Sequence, residues 1–204
     1  AVLRQEADFG VVFDGDGDRV LFVDGKGRVI DGDMIIWVLA RWLCKRGALG
    51  DGVVVTVMSN MALEEHLKEE GIAVHRCSVG DRYVYETMQK TNSLLGGEQS
   101  GHIIIKNHVQ TGDGLCTALM FLMACDELGL KMDELFDEFS PYPQFLQNVK
   151  VRNKEKILSH PGFLKCLKKC EERIRENGRI FVRPSGTEPL VRILLEAKDM
   201  DLKS

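Results

Sequence analysis

Apolar residues along this chain follow two periods. Short apolar runs, FGVVF at 9–13, VLFVD at 20–24 and VVVTVM at 53–58, read as strands, with DGKG at 24–27 as the turn after the second. Ile35, Ile36, Leu39, Trp42 and Leu43 recur at helical spacing, which predicts a helix capped by Asp33. The glycine-rich stretch RGALGDG, 46–52, reads as a domain boundary. After VVVTVM come a helix over about Ala62–Glu70, a strand in IAVHRCSV (72–79) and a helix from about Asp81. That β-α-β-α order predicts a parallel sheet covered by helices. SLLGGEQSGHIII, 93–105, reads as a hairpin around Gly96–Gly97. TGDGLCTALMFLMACDEL, 111–128, reads as a long buried helix with Met120 and Met123 as core filler.

Two prolines in SPYPQ, 140–144, break the helical pattern and mark a second boundary. Beyond it lie a strand in QNVKV (147–151), a helix over about Phe163–Glu176, and two strands flanking RPSGTEPL (183–190). No internal repeat or low-complexity segment is present. The expected fold class is α/β: mixed β-sheet domains with helices on their faces, then a C-terminal α+β domain. The expected divisions are 1–47, 48–140 and 141–204. Only a few residues precede the first strand, so the chain is expected to be a piece of a larger protein.

Composition narrows the function classes. With 44% hydrophobic and 28% charged residues over 204 positions, the chain resembles a globular protein. A net charge of −4 argues against nucleic acid as partner. No apolar run is long enough to span a membrane, and AVLRQEADFG lacks a signal-peptide core. The six cysteines contain no Cys-x-x-Cys pair, which fits reduced thiols in a cytoplasm.

Candidate chemistry sits in three stretches. DGDGDR places Asp14, Asp16 and Asp18 at alternate positions, where extended backbone turns side chains to one side. Three converging carboxylates call for a hard divalent cation, Mg²⁺ or Ca²⁺. An EF-hand is excluded, because its sixth and twelfth positions would hold Arg19 and Gly25. A dinucleotide fingerprint fails at Val20, and no Gly-Lys-Ser/Thr phosphate loop occurs. An Asp-x-Asp-x-Thr phosphatase context fails too, since Arg19 and Val20 follow the acidic run. GEQSGH, 97–102, sets Glu98, Ser100 and His102 on one face of an extended segment, a row suited to sugar hydroxyls. In RPSGTEP, 183–189, the Ser185 and Thr187 hydroxyls and the free backbone of Gly186 form an anion nest flanked by Arg183 and Arg192.

In this order and spacing, the three stretches resemble the metal, sugar and phosphate loops of the α-D-phosphohexomutases. GGEQSGHIII, TVMSN and VGDRYV look most like the branch acting on hexosamine phosphates. The resemblance implies four domains in the whole protein, with this chain holding the end of the second, the third, and most of the fourth. It implies interconversion of glucosamine 6-phosphate and glucosamine 1-phosphate through glucosamine 1,6-bisphosphate and an enzyme phosphoserine. The donor serine, in a Thr-Ala-Ser-His-Asn-Pro loop, would lie in N-terminal domains this chain lacks. SHPG at Ser159 lacks the Asn and reads as a turn before a helix. By resemblance, Asp14, Asp16 and Asp18 hold Mg²⁺, and Arg19 and His102 are catalytic. Asp81, Arg82, Glu98, Ser100, Arg183, Ser185, Gly186, Thr187 and Arg192 bind the phosphosugar. A bacterial cytoplasm is the implied location, with neither nucleic acid nor membrane as partner. A phosphomannomutase or phosphoglucomutase, or a phosphosugar-binding piece without catalysis, are the competing expectations.

Overall fold

A computed structural model of the chain describes residues 1–175, 177–186 and 188–199. It divides into two compact units, Ala1–Ser140 and Pro141–Ser204.

The first unit opens with a single helical turn, α1 (Val2–Gln5), and an antiparallel meander of β1 (Phe9–Phe13), β2 (Val20–Asp24) and β3 (Val29–Ile30). β2 alternates buried and half-buried positions, whereas β1 is largely exposed. Helix α2 (Gly32–Lys45) follows. Its cap is Asp31, whose carboxylate accepts the Met34 N–H at 3.2 Å. Asp33, expected in that role, lies inside the first turn and is buried. Asp31 has the extended backbone a cap needs, and Asp33 is already helical.

The second sheet has the order β5-β4-β6-β7, from β4 (Val53–Thr56), β5 (Val74–Cys77), β6 (Leu95–Gly97) and β7 (Ile103–Ile105). β4 runs parallel to β5 and β6, and β7 is antiparallel to β6. All four residues of β4 are buried, as a strand covered on both faces must be. Val54 packs with Val84 and Met88 of α4 (Asp81–Lys90), while α2 and α3 (Met61–Glu69) pack together. Helix α2 contacts both α3 and β6, which lie beyond the stretch 46–52 in the same compact unit.

Two further expectations are corrected. Gly96 and Gly97 lie within β6, and the hairpin turns at 98–101. Neither glycine leaves room for a side chain: a Cβ would approach the Met88 sulfur at 2.7 Å and the His102 carbonyl at 2.7 Å respectively. Helix α5 (Gly114–Leu128), capped by Asp113, buries Met120 and Phe121 but exposes Leu115, Leu119 and Met123. Those three recur every four residues, so they share the face turned away from the core. Aromatic contacts in the core include Phe22 on Phe121, with ring centroids 4.7 Å apart, and Trp37 on Phe139 at 5.5 Å. The short α6 (Leu135–Glu138) completes this unit.

The second unit is an antiparallel sheet ordered β8-β10-β9, from β8 (Gln144–Lys150), β9 (Gly178–Pro184) and β10 (Leu190–Ala197). Helices α7 (Lys154–Leu158) and α8 (Pro161–Ile174) connect β8 to β9, and α8 packs on β9. SHPG is the turn between these helices: the Ser159 hydroxyl donates to the Glu155 carbonyl, and His160 caps α8.

Candidate active site

The acidic loop joins β1 to β2, and its shape follows from its aspartates and glycines. The Asp14 carboxylate accepts the N–H groups of Gly17 (3.2 Å) and Arg19 (3.3 Å), folding the loop over itself. Gly17 takes the left-handed conformation, φ 75°, that this turn demands. One oxygen each from Asp14, Asp16 and Asp18 then lies within 4.8 Å of the others. Desolvation pushes the Asp18 carboxyl up, with Asp14 and Asp16 adding to it. Asp14 also feels desolvation, but the Arg19 and Gly17 N–H groups and a bond to Asp18 hold it below the usual range. Asp18 Oδ1 is sealed from solvent without a hydrogen-bond partner, and the Arg19 Nε stands 3.9 Å away. Three clustered carboxylates with an orphaned buried oxygen suit a hard divalent cation such as Mg²⁺.

The hairpin between β6 and β7 delivers the second set. Residues 98–101 form a turn rather than the extended row expected, because the Gly101 N–H returns to the Glu98 carbonyl and Gly101 is left-handed at φ 91°. The Glu98 and Ser100 side chains still meet, while His102 turns to Asp18 and Asp81. Glu98 accepts the Gly80 N–H at 2.9 Å and the Ser100 hydroxyl at 3.2 Å. Its oxygens keep lone pairs for further donors. His102 is only 2% exposed, with Nδ1 3.3 Å from Asp81 and Nε2 3.6 Å from Asp18. This geometry lets His102 brace the acidic loop through Asp18. Arg82 is not drawn in: its guanidinium is 83% exposed and pairs along its own helix with Glu86 at 2.6 Å.

The two loops are fastened together. Arg19 and His102 form an antiparallel bridge, and the Val20 N–H donates to the Gly101 carbonyl at 3.2 Å. The Gly114 N–H donates to the Gly17 carbonyl, and a Cβ on Gly112 would come 2.3 Å from His102 Nε2. A hollow of about 340 Å³ lined by Asp14, Arg19 and Ser100 neighbours one of about 290 Å³ lined by Thr56, Glu98 and Ser100. Sequence reasoning missed the supports behind this site. Gln99 donates to Asp31 at 3.1 Å, and Gly32 is pressed so close to the turn that a Cβ would lie 2.1 Å from the Glu98 carbonyl. The glycine beside a helix cap was the available signal for such a close approach.

In the second unit, Arg183 of β9 and Arg192 of β10 are direct cross-strand partners. The Nε of each is buried without a hydrogen-bond partner. Ser185 is buried, and its hydroxyl oxygen accepts the Glu188 N–H at 3.3 Å, leaving its proton to donate. Gly186 is exposed, and Thr187 lies outside the described residues. Opposed cations beside a glycine turn are groups that can hold an anion, and Arg192 Nη2 lies 3.5 Å from the Glu188 carboxylate.

The family description "Phosphoglucomutase/phosphomannomutase, alpha/beta/alpha domain III" matches residues 31–142, and the C-terminal domain of the same family matches 146–203. The chain belongs to the phosphoglucomutase/phosphomannomutase family. Relatives named phosphoglucosamine mutase, from Carboxydothermus hydrogenoformans and Thermus thermophilus, are each 47% identical to this phosphohexomutase chain. The alignments cover 99% and 97% of it but 46% and 44% of the relatives. The chain thus spans a little under half their length. Among solved structures, Aspergillus fumigatus N-acetylphosphoglucosamine mutase in complex with GlcNAc-6P and magnesium gives a TM-score of 0.80 at 21% identity. That match covers 97% of this chain and 52% of the other. An N-acetylglucosamine-phosphate mutase in a product complex gives 0.78 at 22% identity, covering 94% and 46%. At such identities the likeness speaks for the phosphohexomutase fold alone.

Proposed function

We propose that this chain forms the metal-, sugar- and phosphate-binding parts of a phosphoglucosamine mutase. Such an enzyme interconverts glucosamine 6-phosphate and glucosamine 1-phosphate through glucosamine 1,6-bisphosphate. The observation that carries this reading is the bridge between Arg19 and His102, which joins the acidic loop to the Glu98–Ser100 turn. It is supported by the names of the 47% identical relatives.

In this reading, residues 1–47 end a metal-binding domain, 48–140 form the sugar-binding domain and 141–204 the phosphate-binding domain. Asp14, Asp16 and Asp18 hold Mg²⁺, which supplies charge neutralisation to a transferring phosphoryl group when bound. Arg19 reaches the same phosphoryl oxygens or assists the proton at the attacking hydroxyl. His102 holds Asp18 and Asp81 in register. Glu98 and Ser100 accept hydrogen bonds from sugar hydroxyls. Asp81 and Arg82 lie at the rim, with Arg82 required to leave Glu86 to take part. Arg183, Ser185, Gly186, Thr187 and Arg192 hold the phosphate that is not transferred. The phosphoserine donor belongs to the length of the relatives that this chain does not span, and the whole enzyme works in a bacterial cytoplasm.

The test is calorimetric titration of the chain with glucosamine 6-phosphate, mannose 6-phosphate and glucose 6-phosphate in the presence of Mg²⁺. Tightest binding of the amino sugar is expected. Tighter binding of mannose or glucose phosphate would move the assignment to a phosphomannomutase or phosphoglucomutase. Binding of none would overturn it.

A further inference from the structure

Behind the RPSGTEP loop lies a residue that the sequence motifs do not contain. Lys154, the first residue of α7, sends its ammonium to the Ser185 carbonyl at 2.6 Å and to the Glu188 carbonyl at 3.2 Å. Asn153 fixes its position, since the Asn153 side chain caps α7 by accepting the Lys156 N–H at 2.8 Å. The Val151 N–H binds the Pro189 carbonyl at 3.0 Å, so the β8–α7 connection holds the loop at three carbonyls.

We propose that Lys154 is a positioning residue that aims the Gly186 N–H at a bound phosphate. This rests on reading the loop as a phosphate clamp. A peptide unit is planar and trans, so the Ser185 carbonyl and the Gly186 N–H point in opposite directions. Pulling that carbonyl toward the ammonium turns the Gly186 N–H to the other side. Gly186 is exposed, and a Cβ on it would meet nothing within 4 Å, so the loop is uncrowded there. The remaining described loop contacts do not set this plane. Ser185 N–H is committed to the Leu190 carbonyl, and Glu188 N–H to the Ser185 hydroxyl. The lysine thus orients a donor without occupying the anion site, and its charge adds to that of Arg183 and Arg192. Two charge-assisted bonds to carbonyls are also stronger than neutral ones, so the plane is held against thermal rotation.

The experiment uses the chain with inorganic phosphate as probe and reads backbone amides by ¹⁵N NMR. In phosphate-free protein, Lys154→Met is expected to shift the Gly186 amide resonance, and phosphate affinity should fall about tenfold, the worth of one hydrogen bond to a charged group. Lys154→Arg, whose guanidinium can bond both carbonyls, should restore most of both effects. An unchanged Gly186 amide in phosphate-free Lys154→Met, even with weakened phosphate binding, would make Lys154 a direct ligand and overturn the proposal. If the unaltered chain binds no phosphate, the clamp reading fails, while the Gly186 amide still reports on whether Lys154 sets its direction. If Lys154→Met does not fold, Lys154→Arg with an unaltered Gly186 amide shift supports the brace, and a shift moved to that of free peptide overturns it.

Discussion

Arg183 and Arg192 stand directly opposite each other across β9 and β10, each with an Nε buried and unbonded. Like charges in direct cross-strand register disfavour the sheet unless anions offset them, and the Glu188 carboxylate, 3.5 Å from Arg192 Nη2, faces only one of the two. Phosphate should therefore raise the unfolding temperature of the chain. Arg183→Ala should weaken phosphosugar binding by about 2–5 kcal/mol, the usual loss on truncating a desolvated charge contact. Arg173→Ala, in the exposed last turn of α8, should leave binding unchanged. Calorimetry on the two variants decides it, and equal affinities would remove the clamp assignment.

Gly32 and Gly71 make a matched pair of tests. A side chain at Gly32 would strike backbone of the sugar turn, whereas Gly71 is left-handed at φ 76° with open space around it. Gly32→Ala should cost about 1–3 kcal/mol through overpacking, and Gly71→Ala about 1–2 kcal/mol through backbone strain. Urea midpoints measure both. Only Gly32→Ala should also weaken glucosamine 6-phosphate binding, because only there does the Glu98–Ser100 turn have to move.

Asp33 is fully buried beside Asp31, and burial first, then that neighbour, pushes its carboxyl up to about 7. The Asn60 N–H, bonded at 2.7 Å, offsets part of this. The folded chain holds a proton there that the unfolded chain loses above about pH 4. The contribution is fully present below the unfolded value and is lost as pH rises through about 7. It is worth on the order of 4 kcal/mol for a shift of that size. Wild type minus Asp33→Asn stability, from urea unfolding at pH 5 and pH 7.5, should be larger at pH 5. A flat difference would mean the carboxyl is ionised throughout.

The acidic loop brings three carboxylates and no fourth charged ligand from within its own turn. Mg²⁺ sheds water reluctantly and favours near-octahedral sites, so millimolar affinity is expected. Asp16→Asn should abolish it. Sub-micromolar binding in a magnesium titration would show a site complete without a phosphoserine.

The 204 residues alone should give no turnover of glucosamine 6-phosphate, even with Mg²⁺ and a sugar bisphosphate. None of the eight serines has the nucleophile's Ser-His-Asn-Pro context. Phosphoryl transfer depends on positioning and charge stabilisation, and both need the donor in place. Turnover accompanied by phosphate on Ser159 would reverse the reading of SHPG as a turn.

Much of this protein was written in local patterns. Strand runs, helical periods and the three chemical loops depend on neighbouring residues, and short-range propensity and turn chemistry act at that range. The RPSGTEP loop was legible for the same reason, since its flanking arginines fall in register whenever the strands pair as a hairpin. Tertiary structure decided what each loop leans on. Asp31 became the helix cap and Asp33 a buried acid because the first turn of α2 packs against residues 59–60 and 98–99. His102 was turned from an open row into a clamp between Asp18 and Asp81, residues 84 and 21 positions away. Lys154 reached its loop across 31 residues. Such contacts are set by how elements pack, and a linear pattern carries no term for a partner that only folding brings near.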